Sequence, residues 1–155
     1  MSQIDKNGHV KMVNVTEKRE TIRFARGHAR IKIRKDVLDV IIAGEIKKGD
    51  VLSAAKIAGI LAAKKTGELI PLCHPLNITH LDVSFKILEN PSAIEIEATA
   101  ELVGRTGVEM EVLIAVSVAA LTIYDMCKSM DRKMEIDEIY LIEKFGGESG
   151  HFIKK

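Results

Sequence analysis

Over residues 78–88 apolar and polar side chains alternate, with Thr79, Leu81, Val83, Phe85 and Ile87 on one side and His80, Asp82, Ser84 and Lys86 on the other. A period of two predicts a strand with one buried face. Glu89, Asn90, Pro91 and Ser92 then supply a turn, after which Ile94, Ile96, Ala98, Ala100 and Leu102 alternate with Glu95, Glu97, Thr99 and Glu101, so the two segments form an antiparallel hairpin. Residues 20–34 alternate more loosely through Ile22, Phe24, Ala29, Ile31 and Ile33 and break at Gly27, as a strand pair or a bent strand would. Residues 136–145 read as a further strand.

Helices fill the gaps. A short one is expected over 36–43, ended by Gly44. Asp50 is placed to cap an alanine-rich helix that runs to Lys65 with Gly67 as its stop, and Lys47 and Lys48 stand just before it. The apolar run within 108–128 is too long for one strand and predicts the longest helix. The order strand, helix, strand, strand, helix, strand matches the split βαβ, ferredoxin-like plan of an α+β protein: an antiparallel sheet with helices packed on one face. Residues 1–11 are polar without a period and are expected to be disordered or weakly attached, leaving 12–155 as a single domain.

Composition narrows the function classes. The chain has 155 residues, no Trp, two Tyr and four Phe, so its core is aliphatic and aromatic platforms for stacking single-stranded bases are not expected. Lys and Arg total 23 against 22 Asp and Glu, a balance that predicts no broad attraction to nucleic acid or membrane. An anionic substrate would need a local cationic cluster, for which Lys48, Lys128, Lys144, Arg23 and Arg26 are available. The apolar stretch 112–124 is shorter than the roughly 20 residues that span a bilayer. With two cysteines and no signal segment, the expected compartment is the reducing cytoplasm.

Two segments carry chemistry. Residues 69–76 read LIPLCHPL, in which Pro71 and Pro75 stiffen a loop that presents Cys73 beside His74. The second is the end of the long helix, DMCK, where Asp125 and Lys128 are three residues apart and share a face as an acid and an amine. The same spacing also suits an ordinary surface salt bridge.

Read together, GDVLSAAKIAGILAAKKTGELIPLCHPL, GVEMEVLIAVSVAALTIYDMCK and the tail GGESGHF closely resemble the family of molybdenum-cofactor biosynthesis protein C, the cyclic pyranopterin monophosphate synthases. The resemblance covers most of the chain, from about Met12 to Phe152. It implies a lyase that converts a cyclised dihydro-GTP to cyclic pyranopterin monophosphate with release of pyrophosphate. It also implies Asp125 and Lys128 as the catalytic acid and base pair, and Lys48 and His74 as pocket residues. Leu72, Cys73 and His74, with Met110, Glu111 and the adjacent Glu109, match the segments that hold the substrate. No cofactor is required on this reading, and Mg²⁺ is a possible companion of the triphosphate. The tail departs from the family's usual GGKSG at Glu148, and Asn14 stands where an aspartate is common.

On one straight helix Glu111 and Asp125 are 14 rises of about 1.5 Å, or about 21 Å, apart, too far to serve one reacting centre. A pocket that uses both ends most simply combines two chains. The resemblance implies sites at a dimer interface, with three dimers making a hexamer. Three other readings compete with the enzyme. A metal site would use Cys73, His74, His80 and Cys127, yet one Cys-His pair lacks the paired short spacings of structural zinc sites. A non-catalytic module is open because fold does not fix function, although a sensor has no need of an ionisable Asp125 and Lys128 pair. Nucleic-acid binding is disfavoured by the charge balance and the scarcity of aromatics.

Overall fold

The computed structural model describes residues 3–155, so the part of the N-terminal expectation that concerns residues 1 and 2 lies outside it. Strands β1 (Thr21–Lys32), β2 (His80–Glu89), β3 (Ser92–Gly104), β4 (Glu135–Phe145) and β5 (Phe152–Ile153) form one sheet in the order β2-β3-β1-β4-β5. Every pairing is antiparallel. Helices α1 (Lys35–Ile42), α2 (Val51–Lys64), α3 (Thr66–Leu69) and α4 (Glu109–Cys127) occupy the connections. The sheet order and the helical crossovers are those of the ferredoxin-like α+β plan.

Alternation along the strands decides which face is covered. On β3, Ile94, Ile96, Ala98, Ala100 and Leu102 are all buried, whereas Glu95, Glu97 and Thr99 between them are half-buried and turned to the other side. On β1 the residues facing the helices are small, namely Ala25, Gly27 and Ala29, and α4 settles directly onto them. A Cβ on Gly27 would stand 3.1 Å from Val112 Cγ2, so the glycine is what permits this approach. The strand stays single across Gly27. It bends there instead, with register shifts against β4 between Arg26 and Gly27 and between His28 and Arg30.

Helix α4 presents Val112, Ala115, Val116, Ala119, Ala120 and Ile123 to the core, all without solvent exposure. By length and composition it would suffice to cross a bilayer, but this buried face packs on its own sheet and on α2, as in the central helix of a folded domain. Asp50 caps α2 by accepting from the Ser53 backbone N–H at 3.1 Å. Gly67 does not end the helical path as expected. After a break at Lys65 the chain makes the single turn α3, which carries Gly67 within it and hands over to the proline loop. Near the N-terminus an isolated bridge joins Ile4 to Val10, and Asp5 Oδ1 accepts from the backbone N–H groups of Asn7 and His9.

Candidate active site

The proline loop follows α3 and runs beneath the start of α4. Pro75 is fitted tightly there, since a Cβ on Gly67 would lie 3.2 Å from its Cα. This loop, the first turn of α4 and the end of β4 enclose a cavity of about 330 Å³. Eight of the expected residues meet in its wall: Arg23, Leu72, Cys73, His74, Glu109, Met110, Glu111 and Lys144. Segments far apart in sequence thus converge on one site.

The charges inside it are mixed. Glu111 is 3 % exposed, and burial, aided by the nearby Glu109 charge, raises its carboxyl to about 7. Its proton is therefore exchangeable near neutral pH, as a general acid or base requires. Burial also raises the Cys73 thiol, and the Glu111 charge adds to the effect, so the reactive thiolate is disfavoured. Lys144 supplies positive charge, with its amine 3.9 Å from Glu109 and donating to the Ser149 hydroxyl.

Arg23 does more than carry charge. Its guanidinium donates to the carbonyl oxygens of Gly104 at 3.2 Å, Arg105 at 3.1 Å and Gly146 at 3.3 Å. It therefore ties the end of β3 to the glycine turn after β4, and the turn passes so close that a Cβ on Gly147 would collide with it. Lys18, Arg105 and Ser149 also line the cavity, although no spacing in the sequence singled them out. They sit in loops with no period: the folding back of residues 13–18 and of the tail brings in Lys18 and Ser149, and Arg105 stands just after β3. Glu148 lies in an adjoining cavity with Glu17, Lys18 and Arg23. Asn14 accepts from the Thr16 N–H at 2.9 Å, a turn contact that an aspartate would make equally well.

Four expected residues lie elsewhere. Asp125, Lys128 and Lys48 form a second cluster at the opposite end of α4. The Lys128 amine donates to Asp125 Oδ1 at 2.6 Å, and the Lys48 amine donates to the Asp125 carbonyl oxygen at 3.0 Å. Hydrogen bonding to Lys128, with its charge and that of Lys48, holds the Asp125 carboxyl below its ordinary range. Neither partner is desolvated within one chain, where the Lys128 side chain is 52 % exposed and that of Asp125 62 %. Arg26 corrects the expectation outright. It points to the outer face of the sheet, away from the cavity, and pairs there with Glu143 at 2.7 Å and Glu97 at 3.6 Å. Three positions separate it from the inward Arg23, an odd number that strand alternation turns to opposite faces.

The grouping suggested for a metal does not form either. Cys73 lies beside the first turn of α4 and Cys127 at its last, and among the described residues no three His, Cys, Asp or Glu side chains are grouped closely enough to hold a metal ion.

The profile of the MoaC family matches residues 12–147. The chain belongs to the MoaC family. A protein of Desulfatibacillum aliphaticivorans named cyclic pyranopterin monophosphate synthase is 52 % identical over 154 residues, which is 99 % of this chain and 97 % of that protein. One of the same name from Desulforapulum autotrophicum is 55 % identical over 152 residues, covering 98 % and 93 %. Another, from Thermomicrobium roseum, is 53 % identical over 150 residues, covering 97 % and 90 %. This MoaC chain thus carries both clusters, one at each end of α4, within the span matched by the family.

Proposed function

We propose that this protein is a cyclic pyranopterin monophosphate synthase of molybdenum-cofactor biosynthesis. It acts on 3',8-cyclo-7,8-dihydroguanosine 5'-triphosphate and releases pyrophosphate. The observation that carries this reading is the convergence of Cys73, His74, Glu109, Glu111, Arg23 and Lys144 on one cavity in a member of the MoaC family. Closing a cyclic phosphate on a triphosphate substrate requires a hydroxyl to lose its proton while the α-phosphorus–oxygen bond to pyrophosphate breaks. Lys144, Lys18 and the free donor capacity of Arg23 offset the charge on the departing pyrophosphate. Glu111 is placed to exchange a proton, and Asp125 with Lys128 form the acid and base pair.

The two clusters act together only if a second copy of the chain brings its Asp125, Lys128 and Lys48 to the cavity of the first. The helix layer supports such pairing, since Ile57, Leu61 and Leu121 are each more than half exposed there. Three such pairs would give a hexamer with closed symmetry. The reaction needs no resident cofactor. Any Mg²⁺ would be carried in by the triphosphate, as hard cations commonly travel with substrate phosphates. The two free thiols suit a cytoplasmic setting. Incubating the purified protein with the cyclised dihydro-GTP and assaying pyrophosphate tests the reading: stoichiometric release with the tricyclic pterin product is expected, and tight binding without release would reduce the protein to a ligand-binding module.

A further inference from the structure

Arg26, removed from the cavity, has a different place in the molecule. It stands directly across from Glu143 in the β1–β4 pairing, and its guanidinium meets Glu143 Oε2 at 2.7 Å. The other carboxylate oxygen, Oε1, meets His151 Nε2 at 2.8 Å. One carboxylate is therefore held from two sides, by a residue of the central strand and by a residue of the C-terminal tail. The His151 ring and the Arg26 guanidinium together keep the Glu143 carboxyl below its ordinary range. Apolar contacts flank the same point, with Phe24 stacked on Phe145 at 5.3 Å and the His151 ring edge-on to Phe145 at 6.3 Å.

Strand alternation carries this outer arrangement to the inside. Glu143 and Phe145 face outward, so Lys144 between them faces the cavity. After Phe145 the chain reverses through residues 146–150, with Gly146, Gly147 and Gly150 all at positive φ, and returns as β5 with Phe152 opposite Lys144. His151 is the last residue before that return. The turn it closes puts Ser149 against the Lys144 amine in the cavity wall.

We propose that Arg26, Glu143 and His151 form a positioning clamp on the outer face of the sheet, which holds the 146–150 turn so that Ser149 and Lys144 are presented together to the phosphate end of the substrate. The clamp rests on the proposed anionic substrate for its purpose, though not for its existence. None of its three members touches the substrate. They act through Lys144 and Ser149, so their loss weakens substrate capture more than the chemical step.

The test uses the full-length protein in its native assembly and two readouts. Deuterium uptake of the tail, residues 146–155, is followed in the ligand-free protein for the parent, Glu143→Gln, His151→Ala and His151→Lys. Pyrophosphate release gives KM and kcat for the same four proteins. The clamp predicts that Glu143→Gln and His151→Ala each speed tail exchange and raise KM about fivefold, with kcat within about twofold, a loss of roughly 1 kcal/mol in binding. His151→Lys puts a donor amine opposite Glu143 in place of the ring and should restore both values. Unchanged tail exchange in Glu143→Gln and His151→Ala overturns the clamp, and so does a rise in KM without faster exchange. If the parent releases no pyrophosphate the proposed function fails, and the exchange comparison alone still upholds or overturns the clamp.

Discussion

Gly59 of α2 faces the backbone of Ala115 on α4 so closely that a Cβ at position 59 would stand 2.8 Å from the Ala115 carbonyl oxygen. The atom in the way is backbone, which cannot rotate aside as a side chain could. The two helices are therefore locked at this crossing, and the lock fixes Lys48, just before α2, against the carbonyl of Asp125. Gly59→Ala should cost a net of about 1–2 kcal/mol even after a gain of roughly 1 kcal/mol in helix propensity. Urea denaturation of the two proteins checks this. Equal or greater stability in the alanine variant would mean that α2 can shift freely over α4.

Glu111 makes the protein's stability depend on pH in a defined direction. Its folded carboxyl titrates at about 7, above the ordinary 4.5 of the unfolded chain. Between those values the unfolded chain gives up the proton while the folded chain keeps it, so stability falls as pH rises through this window and levels off above it. Glu111→Gln removes the effect. Relative to the parent, the variant should gain on the order of 3 kcal/mol across the window and hold that gain at pH 8. Denaturation curves at several pH values give the difference, and a gap that does not change with pH would contradict the burial of this carboxyl.

The legibility of this fold in its sequence varied with the kind of signal. The β2–β3 hairpin and the Asp50 cap were readable because alternation and capping are local, and both are present as expected. The short strand β5 was not: two residues carry no period, and they are strand only because β4 offers an open edge. At the site, LIPLCHPL and the DMCK end of α4 were legible as chemistry, whereas Glu109, Met110 and Glu111 at its start were pointed to only by the resemblance. Arg26 misled because it has the right charge on the wrong face. Lys18 and Ser149 were invisible because their place depends on long-range folding of loops.

Cys73 should be a wall of the cavity and not a nucleophile. With burial and Glu111 both raising its thiol, little thiolate exists at neutral pH. Alkylation by iodoacetamide at pH 7 should be slower than for a free thiol of ordinary pKa, and Glu111→Gln should speed it by removing the charge. Cys73→Ser should retain part of the turnover. A covalent substrate adduct on Cys73 in a mass spectrum would reverse the assignment.

Lys128 is expected to move a proton and not merely to carry charge. Lys128→Arg keeps the cation and can still reach Asp125, but the guanidinium holds its proton at every accessible pH. Pyrophosphate release should fall by at least about a hundredfold, with circular dichroism and gel filtration unchanged. Asp125→Ala should do the same, and the double variant should be little worse than either, because groups that act as a unit are not additive. Near-normal turnover in Lys128→Arg would leave the pair as a surface salt bridge.

The central claim is that one active site is built from opposite ends of α4 in two chains. Mixing Glu111→Ala with Asp125→Ala tests it most directly. Each variant alone should be nearly inactive, since every site it forms lacks one group. In an equal mixture, reassembled and verified as mixed oligomers, half of the pairs are hybrid, and each hybrid holds one site with both groups intact. Activity should therefore recover to about a quarter of the parent's. Verified mixed oligomers that stay as inactive as the separate variants would contradict the shared site.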